Sequence, residues 1–152
     1  MSYEQVIFEN KEDIAIIRMN RPEKKNAFSP TMSREILEVV THIENTPEIR
    51  GVLLTGVGDS FSAGLDLDMS FIQTMEQSDS INFRAVMDPI LEWYKKLYNM
   101  SKPTVAAVNG HSYGGGLVPV SLCDVAIASD KSRYCLSEIN FAHFPAGGTT
   151  WA

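Results

Sequence analysis

The chain has 152 residues, enough for one domain that buries roughly 68–70% of the surface its unfolded form exposes. Hydrophobic residues at 44% and charged residues at 21% suit a globular fold rather than a disordered or fibrous chain. With 13 Lys+Arg against 19 Asp+Glu the net charge is −6, and no Lys/Arg run offers the basic face that nucleic acid needs.

The largest cationic cluster, Arg21, Lys24 and Lys25, lies in a turn. No segment approaches the ~20 apolar residues of a membrane helix, and Met1 to Asn10 holds no signal-peptide core, so the expected setting is cytoplasmic with no membrane partner. Cys123 and Cys135 both sit in apolar runs and read as small buried thiols of a reducing compartment, with a disulfide as the alternative. CxxC and HExxH spacings are absent and His42, His111 and His143 are scattered, so no metal site is expected.

In chain order, Gln5–Glu9 and Ile14–Met19 predict two paired strands, the second with Ile14, Ile16 and Met19 supplying its apolar content. Asn20 to Asn26 is turn-rich. Ser29 then serves as N-cap and Pro30 as the first residue of a helix. Its stripe is Met32, Ile36, Leu37, Val40 and Ile43, and it stops before Pro47. Gly51–Thr55 predicts a strand covered on both faces, with a loop over Gly56–Ser60. A polar stretch from Gln73 to Ser80 precedes a second helix over Ile81–Asn99, which Pro89 should bend. Phe83, Val86, Met87, Ile90, Leu91, Tyr94 and Leu97 form its stripe. Val105–Val108 and Val125–Ala128 are two further core strands, with a buried helix over Leu117–Leu122 between them. The alternation describes an α/β domain.

Two glycine turns stand out: Phe61-Ser62-Ala63-Gly64-Leu65-Asp66-Leu67 and Val108-Asn109-Gly110-His111-Ser112-Tyr113-Gly114-Gly115-Gly116. Each is the kind of turn where a backbone comes close to another group, and together they could aim two peptide N–H groups at one oxygen, the chemistry of an oxyanion hole. Taken singly, each glycine equally suits a positive φ or tight packing. A helix starting at the triplet would point its positive end into the turn. Gly-Gly-Gly is not G-x-G-x-x-G, and no Walker lysine follows. Glu138, in Leu136-Ser137-Glu138-Ile139-Asn140-Phe141, is a lone carboxylate among apolar residues. On a surface it is merely solvated; in an apolar pocket such a group becomes a proton carrier.

These motifs, in order, resemble the crotonase family of enoyl-CoA hydratases and isomerases: Asn20-Arg21-Pro22 with Asn26-Ala27, Phe61 to Leu67, Lys102-Pro103-Thr104 through Asn109-Gly110 with the glycine triplet, Cys123-Asp124, and Ser137-Glu138-Ile139. The resemblance covers essentially the whole of residues 1–152. It implies a spiral of ββα units that binds acyl-CoA thioesters, with coenzyme A entering as part of the substrate and no separate cofactor. The Leu65 and Gly115 N–H groups match the family's two donors to a thioester enolate oxygen, each worth roughly 2.7–4 kcal/mol in the transition state. Ala63, Gly64, Asp66, Leu67 and Gly114 surround them. Lys24, Lys25 and Ala27 match the CoA-binding turn.

Two departures limit the resemblance. The family's hydratases hold a water between two glutamates; the second matches Glu138, whereas the first falls at Val118, which cannot accept a proton. Isomerases and hydroxycinnamoyl-CoA hydratase-lyases use the second glutamate alone. The lyases also match around Asn20–Thr31 and Leu136–Phe141, but place a tyrosine where this chain has Ser70. Family members continue past the counterpart of Gly147-Gly148-Thr149, so residues 1–152 read as a core domain without the family's C-terminal helical part. That part supplies CoA contacts and much of the trimer interface. A homo-oligomer, trimer or dimer of trimers, is implied for the family. A non-catalytic CoA-binding or oligomerising fragment is the alternative.

Overall fold

The structure, a computed structural model, describes residues 2–67 and 80–141. Strands β1 (Val6–Lys11) and β2 (Ile14–Met19) form an antiparallel hairpin that turns at Glu12, whose φ of 59° is left-handed. The buried face of β2 is Ala15, Ile17 and Met19, while Ile14 and Ile16 face outward. Of the three residues that supply the strand's apolar content in sequence, only Met19 is buried: the odd-numbered positions meet helix α1 (Pro30–Glu44), and alternation commits their neighbours to the other side.

Helix α1 starts as its sequence dictates. Ser29 Oγ accepts the Met32 N–H at 3.0 Å, and Pro30 occupies the first turn, where its missing N–H costs nothing. Met32, Ile36, Val40 and Ile43 are buried, joined by Val39, with Leu37 partly covered. The helix ends before Pro47, and the Lys102 ammonium donates to the Ile43 carbonyl in its last turn and to the Thr46 carbonyl just beyond, where a cation complements the negative end of the helix dipole.

The rest of the described chain repeats a long strand, a short strand and a helix. Strand β3 (Gly51–Gly56) is followed by β4 (Ser60–Ser62) and α2 (Ser80–Tyr98); β5 (Thr104–Val108) by β6 (His111–Tyr113) and α3 (Leu117–Leu122); β7 (Val125–Ala128) by β8 (Tyr134–Cys135) and a 3-10 turn over Glu138–Phe141. The long strands form a five-stranded sheet in the order β1-β2-β3-β5-β7, parallel apart from the β1–β2 pair. The short strands form a second, parallel sheet, β4-β6-β8. This is an α/β architecture of ββα units, with α1 and α2 packed on one another beside the main sheet. The second sheet was not anticipated.

Helix α2 buries Ile90, Trp93, Tyr94 and Leu97, with Val86 and Met87 partly covered. Phe83 is 37% exposed, so the first turns of the expected stripe lie outside the core; Trp93, which the stripe omitted, is wholly inside it. Pro89 lies within the helix.

Strand β7 also departs from expectation. Val125 and Ile127 are 50% and 64% exposed, because this strand is the edge of the sheet and no described element covers its faces. Tyr134, Leu136 and Ile139 continue the exposed apolar surface. Its start is held by a reciprocal link: Thr104 N–H and hydroxyl both donate to Asp124 at 2.8 Å, and Asp124 N–H returns a bond to Thr104 Oγ1 at 2.9 Å. The backbone and hydroxyl donors of Thr104 hold the Asp124 carboxyl below its usual range.

The cysteines separate. Both are free, Cys135 is exposed rather than buried, and Cys123 is largely enclosed, so that burial pushes its thiol up to about 12 against a smaller lowering by Thr104. Since Cys123 stays a neutral thiol at every pH below that value, an alkylating reagent at pH 8 should modify Cys135 in the folded protein and leave Cys123 intact until denaturant is added. Equal labelling of both in the native state would contradict this packing. Ser29→Ala should lower unfolding free energy by about 1 kcal/mol in urea titration.

Candidate active site

The site is assembled around the turn between β2 and α1. Pro22–Lys24 makes one 3-10 turn, and Lys25 and Asn26 follow in left-handed backbone with φ of 50° and 55°. Asparagine tolerates that region better than most residues, and here its side chain is fully used. Asn26 Oδ1 accepts the Arg21 N–H at 2.9 Å, while Nδ2 donates to the Val57 and Ser60 carbonyls at 2.9 and 2.8 Å. The Asn26 carbonyl accepts Ser62 Oγ at 2.9 Å. One buried carboxamide thereby ties the first turn to the β3–β4 connection.

Arg21 adds a second tie. Its guanidinium donates to the Ala27 carbonyl and to Asp66 Oδ2, each at 2.8 Å, with side-chain exposures of 14% and 18% across the ion pair. The cationic cluster read from the sequence is therefore split: Arg21 is engaged inside, and Lys24 and Lys25 remain on the exposed rim of the turn. Between these ties the backbone of residues 63–66 is threaded onto the turn. Ala63 N–H donates to Lys25 O, Phe28 N–H to Gly64 O, and Asp66 N–H to Phe28 O, at 2.8, 2.7 and 3.1 Å. Phe28 and Leu65 form a single parallel bridge.

The two glycine turns meet. Gly64 has φ of 86°, and a Cβ there would lie 2.6 Å from Tyr113 O, 2.9 Å from Gly115 N and 3.2 Å from Gly116 N. Only glycine allows both that conformation and that approach. A Cβ on Gly115 would in turn lie 3.8 Å from Leu65 N. Neither the Leu65 nor the Gly115 N–H has an acceptor among the described residues. The triplet Gly114–Gly116 is a 3-10 turn that runs into α3, and its carbonyls are held by Leu117 N–H, by the Tyr94 hydroxyl at 2.9 Å and by Ser112 Oγ at 2.8 Å.

Glu138 arrives from the third side, carried by the turn after β8. A Cβ on Gly114 would lie 3.4 Å from Glu138 Oε1, so the carboxylate rests on the glycine turn. Its other oxygen, Oε2, is buried and has no hydrogen-bond partner among the described residues. The fold thus brings Ala27, Ala63, Gly64, Leu65, Asp66, Gly114, Gly115 and Glu138 into one place. It leaves Lys24, Lys25 and Leu67 on the exposed margin, and it puts Val118 in α3, 1% exposed, as part of the hydrophobic core. Ser70 lies outside the described residues. Sequence reading overlooked the Arg21–Asp66 pair and the Tyr94 hydroxyl. The first joins residues 45 positions apart, and the second was absorbed into an apolar stripe.

Two adjoining backbone turns and one half-buried carboxylate thus meet at one place in the fold. The enoyl-CoA hydratase/isomerase family model matches residues 9–152. The chain belongs to that family, within the crotonase superfamily. It is 38% identical over 140 residues to a hydroxycinnamoyl-CoA hydratase-lyase of Pseudomonas fluorescens, covering 91% of this chain and 50% of that protein. It is 32% identical over 151 residues to a crotonyl-CoA hydratase of Syntrophomonas wolfei, covering 99% and 56%. The crystal structure of an enoyl-CoA hydratase from Bacillus halodurans superposes with a TM-score of 0.89 at 27% identity, covering 97% of this chain and 59% of that one. The chain spans about half the length of the curated relatives it matches.

The ion pair supplies a test of this assembly. Asp66→Ala strands a mostly enclosed guanidinium and should cost roughly 2–3 kcal/mol in denaturant titration, somewhat less than a fully buried pair. Arg21→Met combined with Asp66→Ala should cost less than the sum of the single changes; strict additivity would show that the pair does not couple the two segments.

Proposed function

We propose that this chain carries the catalytic half-site of an acyl-CoA enzyme that stabilises a thioester enolate. The Leu65 and Gly115 N–H groups receive the developing oxyanion, and Glu138 is the single proton carrier. The observation that supports this best is the contact between the Gly64–Leu65 turn and the glycine triplet, with Glu138 Oε1 against Gly114 and Oε2 buried without a partner. In this reading Glu138 takes a proton from the carbon next to the thioester. The C–H electron pair passes onto the carbonyl oxygen between the two N–H groups, and the proton returns further along the acyl chain. Two preorganised donors lower the enolate because they need no reorientation as charge develops. Lys24 and Lys25, exposed on the rim of the same turn, meet the phosphates of coenzyme A, and Ala27, Ala63, Gly64, Asp66, Leu67, Gly114 and Val118 complete the surroundings of the acyl group. The working enzyme is a homo-oligomer acting in the cytoplasm.

A second reading, a hydratase-lyase acting on a hydroxycinnamoyl-CoA, draws support from the 38% identity to the Pseudomonas protein of that name and from Val118, which leaves one carboxylate. A fragment that binds CoA thioesters without turnover is the remaining alternative.

Assay of the chain with a short 2-enoyl-CoA and a 3-enoyl-CoA, beside Glu138→Gln, separates these. The variant should lose about 10²–10⁴-fold in kcat. Equal turnover by both would remove Glu138 from its role. Release of an aromatic aldehyde from a hydroxycinnamoyl-CoA would select the lyase reading, and calorimetric binding of a CoA thioester without any turnover would select the non-catalytic one.

A further inference from the structure

The structure assigns Tyr94 as a positioning residue that fixes the backbone of Gly115, and through it the Gly115 N–H, by holding the Gly115 carbonyl. That carbonyl lies in the peptide unit after Gly115 and the N–H in the unit before it, so the two are linked through the torsions at the Gly115 Cα. The inference rests on the oxyanion-hole reading above and deepens it. Three consecutive glycines have more backbone freedom than any other tripeptide, so the orientation of the middle N–H has to be imposed from outside. Each carbonyl of the triplet has a clamp. Leu117 N–H reaches Gly114 O and also Gly115 O, and Ser112 Oγ holds Gly116 O at 2.8 Å; both come from within a few residues of the triplet. Tyr94 is different in kind: it comes from helix α2, and its hydroxyl donates to Gly115 O at 2.9 Å.

The hydroxyl is itself well fixed. Tyr94 is 2% exposed, its ring lies 4.3 Å from that of Trp93 at 70°, and 6.4 Å from Phe28 at 78°, while Phe28 and Trp93 meet edge to face at 5.5 Å. Phe28 is the residue whose N–H holds Gly64 O and which bridges Leu65. One aromatic cluster therefore abuts both turns, Phe28 on the Leu65 side and Tyr94 on the Gly115 side. Burial raises the Tyr94 phenol well above its ordinary range, so it remains a donor at any working pH.

The test uses the unaltered chain, Tyr94→Phe and a chain with 3-fluorotyrosine at position 94, which keeps the shape and donates more strongly. Cinnamoyl-CoA is the probe, because its absorption band moves to longer wavelength when the thioester carbonyl is polarised. Tyr94→Phe should shrink that shift and lower kcat roughly 10-fold with KM within about 2-fold, and the fluorinated residue should keep or enlarge the shift. The carbonyl carbon resonance of Gly115 and the amide resonance of Gly116 should move in opposite directions in the two variants. Unchanged band and unchanged resonances in folded Tyr94→Phe would overturn the assignment. If that variant does not fold, an unchanged Gly115 carbonyl resonance in the fluorinated chain overturns it equally. If the unaltered chain leaves the probe's band unmoved, the oxyanion-hole reading fails, while the glycine resonances still decide whether Tyr94 fixes the turn.

Discussion

The buried carboxamide of Asn26 is the interaction on which the candidate site depends. It is fully enclosed, sits in left-handed backbone, and satisfies three backbone groups from two segments that are remote in sequence. Leaving any of these groups without a partner in a low-dielectric interior costs about 1–3 kcal/mol, so the carboxamide acts as a registration pin rather than as one hydrogen bond among many. Once the turn and the β3–β4 connection are pinned, the ladder from Ala63 to Asp66 can form only one way, and Gly64 is delivered against the glycine triplet. The Arg21–Asp66 pair closes the same loop from its far end. Geometry at Leu65 is thus set by polar contacts several residues away, a common division of labour in sites that need sub-ångström placement.

A complementary apolar constraint governs the other turn. Helix α2 packs along α1 and ends its buried stripe with Trp93, Tyr94 and Leu97, so the core that stabilises the domain is continuous with the aromatic cluster against the glycines. Stability and site geometry share residues here. Gly110 and Gly116 serve the same end by steric means, since a Cβ would lie 1.8 Å from Asp59 O at the first and 2.5 Å from Ser62 O at the second. The short strands β4 and β6 pair because those approaches bring them together.

Much of this was legible in the sequence where local rules act alone. The Ser29-Pro30 start of α1, its stripe and its stop before Pro47 follow from capping chemistry and 3.6-residue periodicity. The long strands of the main sheet were visible as apolar runs. The second sheet was not, because strands of two or three residues carry no periodicity and are stabilised by glycine contacts across the chain. The buried face of β2 was not legible because Ile14 and Ile16 are as apolar as the residues that are buried, and only the position of α1 decides between them. Cys135 and β7 were taken for core on hydrophobicity, yet position at a sheet edge, not composition, sets their exposure. At the site, the two glycine turns and Glu138 acquired meaning together through the family resemblance; no spacing rule links Glu138 to Gly114 across the intervening helix and strands.

Val118 shows how the same packing narrows the chemistry. It belongs to α3 and is 1% exposed within the hydrophobic cluster. A carboxylate at that buried position would lose its hydration, a loss of several kcal/mol unless a partner or water restored it. Valine instead contributes apolar burial to the helix that follows the triplet. In the proposed function, charge developing between the Leu65 and Gly115 N–H groups would then meet one carboxylate, Glu138, and no second anion from α3. In the reading favoured here, that asymmetry suits proton transfer by one carboxylate better than activation of a water held between two.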